Sequence, residues 1–247
     1  MTRIRFSFAR HEALKHISHL DMMRLFQRAL RRSGLPLVYS EGYNPHIRFN
    51  LALPLPVNVT ASEEYGEIFL SGPVTGDHFT STLRDQIPEG LVITGAKAVD
   101  YSAPLLPSLV SAALYRASLL AEKERRLDFE QCREALKRLM ARDEILTARN
   151  KKKQKKQKTQ KTQKTAYVNV RPFIFEAYFS QTQAPCSLEL KMLLQTGNRG
   201  GVSPFFIIES LEKEINSRNS HKAQWELHRE RLYQGDSQFL QPVSEGM

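Results

Sequence analysis

Segments with the hydrophobic periodicity of a strand and segments with that of a helix follow one another in a definite order along this chain. That order constrains the fold more than any single motif does. Basic and apolar residues alternate from Arg3 to Phe8, which is typical of a strand with one buried face. Helical spacing, short apolar runs and turn residues mark the segments that come next. In chain order, these are a strand continuation at Leu14–Ile17, a helix at Met22–Ser33, strands at Leu37–Ser40 and Ile47–Leu53 on either side of a bend, a strand at Glu64–Leu70, a helix at Asp77–Gln86 and a strand at Leu91–Val99.

The same order of elements returns after a connection at 103–107 that contains two prolines. The predicted elements are a strand at Leu109–Leu119, a helix at Glu122–Arg142, strands at Tyr167–Phe179 and Ser187–Leu194, a helix at Pro204–Asn216 and a strand at Gln224–Tyr233. Strand, helix, strand, strand, helix, strand is the order of a ferredoxin-like unit. The sequence therefore predicts an α+β protein of two tandem ferredoxin-like (βαββαβ) units, residues 1–103 and 104–240, with a tail at 241–247.

A run of lysine and glutamine interrupts the second predicted unit. Residues 150–165 contain eight lysines and no acidic or apolar residue, so they supply most of the net charge of +10 and cannot join a core. The sequence predicts a disordered basic loop here. It is either a solvated expansion without a function or an arm that contacts phosphates, with Lys152, Lys155 and Lys158 as candidates. Contact with a membrane is not expected, because no apolar anchor adjoins the lysines.

Composition excludes several other classes of protein. The 247 residues, of which 41% are hydrophobic, are enough to build real cores, so we expect a globular chain. No stretch of about 18 apolar residues is present, and the N-terminus lacks the apolar run of a signal peptide, so we expect a cytoplasmic protein. Two cysteines, Cys132 and Cys186, are too few for a disulfide framework, a four-cysteine zinc site or an iron–sulfur cluster held by this chain alone. We interpret both as small buried residues.

The stretch from Ser18 to Arg48 is the densest in groups that can hold a ligand. Ser18 and Asp21 have the spacing of a helix capping box, which places His19 in the first helical turn. We expect the helix to turn an apolar stripe to the core and a basic side to solvent. The apolar stripe is Leu20, Met23, Phe26, Ala29 and Leu30, and the basic side is Arg24, Arg28, Arg31 and Arg32.

A bend at Glu41–His46 follows that helix. The bend and the segment after it supply the polar side chains Tyr43, Asn44, His46 and Arg48. If the bend folds back on the start of the helix, where an anion is favoured, a phosphate or base fits between Arg48, Tyr43 and His19. A purely structural interpretation is equally open, with Asp21 as a cap, His19 on the surface and Tyr43 packed against the turn.

Chemistry by the histidines is a separate hypothesis. His19 and His46 are the candidate catalytic residues, as an acid and a base acting on an RNA 2′-hydroxyl. A metal site is not expected, because His16, His19 and His46 have no recognised ligand spacing. Gly197–Gly201 has neither the lysine of a P-loop nor the spacing of a dinucleotide-binding turn, so we interpret it as a turn that can lend amides to a phosphate.

A set of short motifs is spread over most of the chain. They are Ile17-Ser18-His19-Leu20-Asp21, Arg28-Ala29-Leu30-Arg31-Arg32, Leu35-Pro36, Tyr39-Ser40-Glu41-Gly42-Tyr43-Asn44-Pro45-His46, Leu53-Pro54-Leu55, Val168-Asn169-Val170-Arg171-Pro172, Gly197 to Pro204 and His228-Arg229. Together they resemble the radical-SAM-linked protein family, a domain of otherwise unassigned function. The resemblance adds Arg171 to the candidate ligand contacts. The chain departs from the family at Asn169, where an acid is usual, and in its lysine run.

The resemblance implies a partner. Members of that family are encoded beside, or fused behind, a radical SAM enzyme with a cobalamin-binding type of domain. This chain has no Cys-x-x-x-Cys-x-x-Cys triplet, so it resembles the freestanding accessory half and we expect no cofactor on it. The iron–sulfur cluster, S-adenosylmethionine and cobalamin are expected on the partner only.

Charge and resemblance together give a hypothesis for function. The chain is predicted to be an accessory RNA-binding protein that presents tRNA or rRNA to a separate radical SAM enzyme. RNA is inferred from the basic charge and from the likeness of the element order to tandem ferredoxin-like RNA-processing proteins of the CRISPR endoribonuclease kind. Two alternatives are a metal-independent RNA-cleaving or RNA-modifying enzyme that uses His19 and His46, and an adaptor that binds only the radical SAM partner.

Overall fold

The computed structural model describes residues 1–119, 129–149, 166–181, 188–215, 224–236 and 239–246, which contain both helices and strands. The helices are α1 (His19–Arg32), α2 (Gly76–Arg84), α3 (Leu106–Leu109), α4 (Phe129–Met140) and α5 (Pro204–Ile215). The strands are β1 (Thr2–Arg10), β2 (Phe49–Leu51), β3 (Val59–Leu70), β4 (Leu91–Val99), β5 (Val110–Leu119), β6 (Leu146–Arg149), β7 (Ala166–Asn169), β8 (Ile174–Gln181), β9 (Leu188–Gln195), β10 (Trp225–Gln234) and β11 (Gln241–Pro242). The protein is therefore of mixed α/β type.

Nine of the described strands form one sheet. Seven of them follow the order β4-β1-β3-β10-β5-β9-β8, while β2 pairs with β3 and β11 pairs with β10. Neighbouring strands are antiparallel except β3 and β10, which pair in parallel where Val59–Ala61 faces Leu227–Arg229. This parallel pair joins the first half of the chain (residues 1–103) to the second half (residues 104–246).

The described residues form two main hydrophobic cores, one within the first half and one centred on the second half that also includes Val59, Ala61 and Tyr65 of β3. In the first half, Phe6 of β1 lies among the rings of Phe26, Phe49 and Phe79, with centroids 5.2 to 6.2 Å apart. Gly66 on β3 is required opposite Phe6, because an added Cβ would lie 2.4 Å from that ring. In the second half, residues of α4 and α5 pack on β5, β9 and β10. Cys132 lies buried in a small cluster beside this core, as predicted, whereas Cys186 lies outside the described residues.

The polar side of β1 is buried, although the alternating pattern predicts one buried face. All residues from Arg3 to Arg10 are buried. Arg3 donates from Nη2 to Glu67 at 2.5 Å and to the Pro104 carbonyl at 2.8 Å, and Arg5 donates to the same carbonyl at 2.6 Å. The connection between the halves therefore covers this side of the strand, and the two arginines hold it there.

Two segments predicted as strands lie outside the regular sheet. Glu12–Leu14 forms a turn of 3-10 helix after β1, where a strand continuation at Leu14–Ile17 is predicted. Leu37–Ser40 makes only isolated bridges, one of them from Leu37 to Leu70. The predicted apolar stripe of α1 is also wrong at Leu20, which is 66% exposed, because Met22 takes the buried position instead.

The predicted strand at Tyr167–Phe179 is divided into β7 and β8. Arg171–Phe173 forms a 3-10 turn between them, and Pro172 has no N–H to continue a ladder. Strand β7 instead pairs with β6 in a separate two-stranded ribbon, with Arg149 opposite Ala166. These paired residues flank 150–165. The predicted disorder of that insertion concerns residues outside those that the structure describes, as does the start of the helix predicted at Glu122–Arg142.

A buried ion pair connects the two halves behind the parallel strand pair. Arg229 on β10 donates from Nε to Glu64 Oε1 on β3 at 2.6 Å and from Nη2 to Oε2, and the two side chains are 0% and 2% exposed. The other N–H groups of Arg229 donate to the carbonyls of Leu53 and Pro54 and to the Tyr115 hydroxyl, at 3.1 to 3.3 Å. The guanidinium thus has partners on both halves of the chain.

Arg10 adds a second cation to this pair. It donates from Nε to the Val59 carbonyl at 3.1 Å and from Nη2 to the Pro56 carbonyl at 2.5 Å. Burial lowers the pKa of Arg10 to about 10, with Glu64 raising it and Arg229 lowering it, so Arg10 stays protonated at neutral pH. Burial alone would also lower the pKa of Arg229, but Glu64 and Tyr115 raise it overall. Two buried cations therefore share one buried carboxylate.

Replacing that carboxylate is expected to destabilise the fold strongly. Glu64→Gln leaves Arg10 and Arg229 buried without a counter-charge, so we expect the free energy of unfolding to fall by about 3–5 kcal/mol. Denaturant unfolding followed by circular dichroism measures the change. The matched control is Glu63→Gln, since Glu63 lies 3.7 Å from Arg231 in a more exposed pair and should lose about 1 kcal/mol or less. Equal losses in the two variants would show that the buried pair does not hold the halves together.

Candidate functional site

A cavity of about 570 Å³ lies where the two halves meet. Its lining residues come from the start of α1, the end of β2 and the segment after it, α3, the middle of β5, the turn after β9 and the start of α5. They are His19, Leu51, Ala52, Leu53, Pro54, Pro56, Pro107, Tyr115, Thr196, Gly197, Asn198, Val202, Ser203 and Pro204. His19 is the predicted site residue that the structure places in this lining.

His19 is positioned by a capped helix start. The Asp21 N–H donates to Ser18 Oγ at 3.2 Å, and the Ser18 hydroxyl donates to Asp21 Oδ2 at 2.7 Å. The predicted N-cap is therefore confirmed, and His19 is the first residue of α1. The hydrogen bonds from Ser18 and Arg24 lower the pKa of Asp21. Asp21 thus fixes the helix start, and His19 extends from it to the cavity.

The wall after β2 turns its carbonyl oxygens away from the cavity. Those of Leu53 and Pro54 accept from Arg229, and that of Pro56 accepts from Arg10. The side chains of this wall that line the cavity are apolar, with two prolines among them. The cavity therefore has an apolar side with two guanidinium groups directly behind it.

Another wall is the glycine turn that leads into α5. Gly197 has a φ of +83°, and a Cβ there would lie 2.4 Å from the Val110 carbonyl oxygen, so only glycine fits. Ser203 precedes the first helical residue, and its carbonyl accepts from the Phe206 N–H at 3.1 Å. This wall supplies the polar side chains Thr196, Asn198 and Ser203. The sequence predicts that backbone amides of this turn can donate hydrogen bonds to a phosphate, but it does not predict that the turn lies beside His19.

The bend predicted to close over His19 does not contribute to the cavity lining. Tyr43 is 99% exposed, and Asn44 and His46 are exposed as well. Arg48 stacks over Phe69 at 4.3 Å from the ring centre and donates to the Tyr101 hydroxyl at 3.2 Å. His46 comes five residues before the cavity residue Leu51, which is about 16 Å along an extended chain. The structure thus places His19 and the bend at opposite ends of β2.

The predicted arginines of α1 lie on its outer side, as the helical pattern indicates. Arg24, Arg28, Arg31 and Arg32 are all exposed. Arg24 pairs with Asp21 at 3.0 Å, and Arg32 donates to the Gln86 carbonyl at 2.5 Å. Arg28 and Arg31 lie between these two in sequence. A basic surface therefore begins one turn beyond His19 and extends to the end of the helix.

Arg171 has structural partners. Its Nε donates to the Met140 carbonyl at 3.1 Å and its Nη1 to the Ile174 carbonyl at 3.2 Å. Asn169 accepts from the N–H groups of Ile145 and Arg171 at 3.0 Å, so the residue that replaces the family's usual acid closes the β6–β7 ribbon. Lys152, Lys155 and Lys158 lie outside the described residues. The role of these four basic side chains in binding stays a prediction.

Among the residues that the structure describes, no group of three or more histidine, cysteine, aspartate or glutamate side chains is placed to hold a metal ion. None of the helices that the structure describes combines the length and the apolar character needed to cross a bilayer.

We expect His19 to be neutral at pH 7. Burial lowers its pKa from the ordinary 6.5, and the charge of Arg229 lowers it further. Because protonation then favours the unfolded chain, the contribution of His19 to stability is complete above about pH 6.5 and is lost as the pH falls below that value. An NMR titration, with the His19 signal assigned by its absence in His19→Gln, should give a midpoint below 6.5. A midpoint at or above 6.5 would contradict the buried, positively charged surroundings.

Comparison with known families gives one result. The model of a family described as an uncharacterized protein conserved in bacteria, DUF2344, matches residues 3–204. That range includes every residue of the cavity lining. It supports the part of the resemblance that concerns a domain of unassigned function. A search of curated proteins finds no match to the chain.

Proposed function

We propose a function in RNA binding for this chain, which belongs to the DUF2344 family. It acts as an accessory protein that presents tRNA or rRNA to a separate radical SAM enzyme in the cytoplasm. The observation that carries the proposal is the exposed arginine side of α1, the helix whose first residue, His19, lines the cavity.

The spacing of the arginines on α1 suits a nucleic-acid backbone. Arg24, Arg28 and Arg31 are four and three residues apart, and such neighbours on a helix surface are about 5–6 Å apart. At a rise of about 1.5 Å per residue, the surface from His19 to Arg31 is about 18 Å long. An RNA strand on this surface would exchange its counterions for several arginines.

The sheet order supports a finer description of the fold within this proposal. The first half follows the order β4-β1-β3 with β2 on β3, and the second half follows β10-β5-β9-β8. When the four strands just named in each half are numbered in chain order, their order across the sheet is fourth, first, third, second in both halves. We take each half as a ferredoxin-like βαββαβ unit, with β6 and β7 as an additional ribbon in the second. Such units are used by RNA-processing proteins, which is an analogy of fold alone.

The proposed division of labour leaves chemistry to the partner. An acid and a base acting on one 2′-hydroxyl must both lie within hydrogen-bond reach of it. His19 lines the cavity, whereas His46 lies beyond the far end of β2. This separation favours a binding role for His19. The radical SAM partner, with its cluster and cobalamin, is inferred from the resemblance of the sequence motifs to the radical-SAM-linked protein family.

Removing the arginine surface is expected to weaken RNA binding. In the full-length triple variant Arg24→Gln, Arg28→Gln and Arg31→Gln, we expect the slope of log affinity against log salt to become shallower by about 2–3. Filter binding or fluorescence anisotropy with tRNA and an rRNA fragment, at several salt concentrations, measures this.

The matched control removes the same charge from another exposed helix. Arg133, Lys137 and Arg138 on α4 are 58–77% exposed, and their triple glutamine variant should keep most of the affinity and the slope. The proposal fails if both triple variants weaken binding equally. It also fails if the unaltered protein binds RNA no better than an acidic polypeptide at physiological salt.

A further inference from the structure

We propose that the cavity between the halves holds one nucleotide, with its base against the leucine and proline wall and its phosphate at the start of α5. The inference deepens the proposed function, and it rests on that function only for RNA as the source of the nucleotide. A free mononucleotide has the same chemistry, so the experiments below separate the two sources.

The size and one wall of the cavity suit a nucleotide. Its volume of about 570 Å³ is within the range of about 300–1,000 Å³ that small-molecule sites occupy. Leu51, Leu53, Pro54 and Pro56 make one side apolar, and the carbonyls of Leu53, Pro54 and Pro56 are occupied by arginines. A base can lie on such a surface without facing unpaired backbone acceptors.

The charge behind the cavity suits an anion. Arg10 and Arg229 share the single carboxylate of Glu64, and all three side chains are at most 2% exposed. Among the described residues, the hydrogen bonds and ion pairs of this cluster include no second acid, so it keeps an excess of one positive charge. Arg229 bonds to Leu53, Pro54 and Tyr115, which are themselves lining residues. The excess charge therefore lies one layer behind the leucine and proline wall. Little solvent screens it there, so it favours an anionic ligand anywhere in the cavity without itself contacting the phosphate.

The polar wall provides the contacts that a phosphate needs. Thr196, Asn198 and Ser203 offer hydroxyl and amide donors on the wall formed by the turn before α5. Ser203 lies directly before α5, a helix of 12 residues whose dipole favours negative charge at this end. Base and phosphate thus have separate walls, and the ribose would lie between them beside His19.

A pair of substitutions at Ser203 tests the position of the phosphate. Aspartate and asparagine are both good residues at a helix start, so Ser203→Asp and Ser203→Asn should fold equally well. Aspartate alone adds a carboxylate where the phosphate is expected. Isothermal titration of the full-length protein with AMP, GMP, CMP and UMP should show at least one that binds, with affinity for it about ten-fold or more lower in Ser203→Asp than in Ser203→Asn.

Partial ligands test the two walls separately. The corresponding nucleoside lacks the phosphate and ribose 5-phosphate lacks the base, so both should bind more weakly than the nucleotide. The nucleoside should not distinguish Ser203→Asp from Ser203→Asn. The inference is overturned if no mononucleotide binds, if the two variants bind nucleotides alike, or if ribose 5-phosphate binds as tightly as the nucleotide.

A single-stranded RNA trinucleotide then identifies the source. If its binding shows the same difference between Ser203→Asp and Ser203→Asn, the cavity takes a nucleotide of RNA. If only free mononucleotides show the difference, the nucleotide site stands and the RNA source is rejected. Loss of RNA binding in the α1 arginine variant, with mononucleotide binding unchanged, supports two separate sites. RNA that fails to bind while mononucleotides do would overturn the proposed function and leave the cavity assignment intact.

Discussion

The ion pair between Arg229 and Glu64 is the interaction on which the arrangement of this protein depends. It joins β10 to β3 at the point where the two halves meet, and both side chains are buried. Removing two charges from water is costly, and the cost is offset only when every donor has a partner. Arg229 meets this condition with carbonyls and a hydroxyl from both halves. The pair therefore specifies one way of docking the halves.

The cavity is a consequence of the same interaction. Arg229 and Arg10 draw the carbonyls of the segment after β2 inward, which leaves leucine and proline side chains to form the cavity wall. The charge that fixes the wall also lowers the pKa of His19. Stability and the lining of the cavity thus depend on one set of buried groups, so a substitution in that set changes both.

Local signals in the sequence predict the elements well, while long-range burial is beyond them. Ser18 and Gly34 bound α1 because caps and stops act within a turn or two. The alternating pattern predicts that Arg3 and Arg5 face solvent. They are buried instead, because Glu67 and the connection between the halves, at least 62 residues away in sequence, cover them. Pro172 is a local indication that the strand predicted at Tyr167–Phe179 is divided. The apolar residues around it nevertheless favour one continuous strand when only hydrophobic periodicity is considered.

The candidate site also has a part that local sequence patterns predict and a part that they do not. His19 and the arginines of α1 are visible because one helix presents them in a regular pattern. Tyr115, Asn198 and Ser203 belong to the cavity only through the docking of the halves, and no periodicity connects residues so distant in the chain. The predicted proximity of His19 to the bend at Glu41–His46 assumes that the bend folds back on the start of α1. In the structure, β2 runs away from the bend, so the bend and His19 lie at opposite ends of β2.

The parallel pairing of β3 with β10 also has a consequence for how the chain is made. Thr60 and His228 are neighbours in the sheet but 168 residues apart in sequence, so at about 5–20 residues per second β3 is synthesised roughly 10–30 s before its partner. Until β10 is made, the edge of β3 that it will cover remains open, as does that of β5 once β5 is synthesised, and Glu64 has no arginine from β10. A ribosome that stalls before β10 is made would release a chain with two unpaired strand edges and an uncompensated acid, which is a substrate for chaperones and proteases.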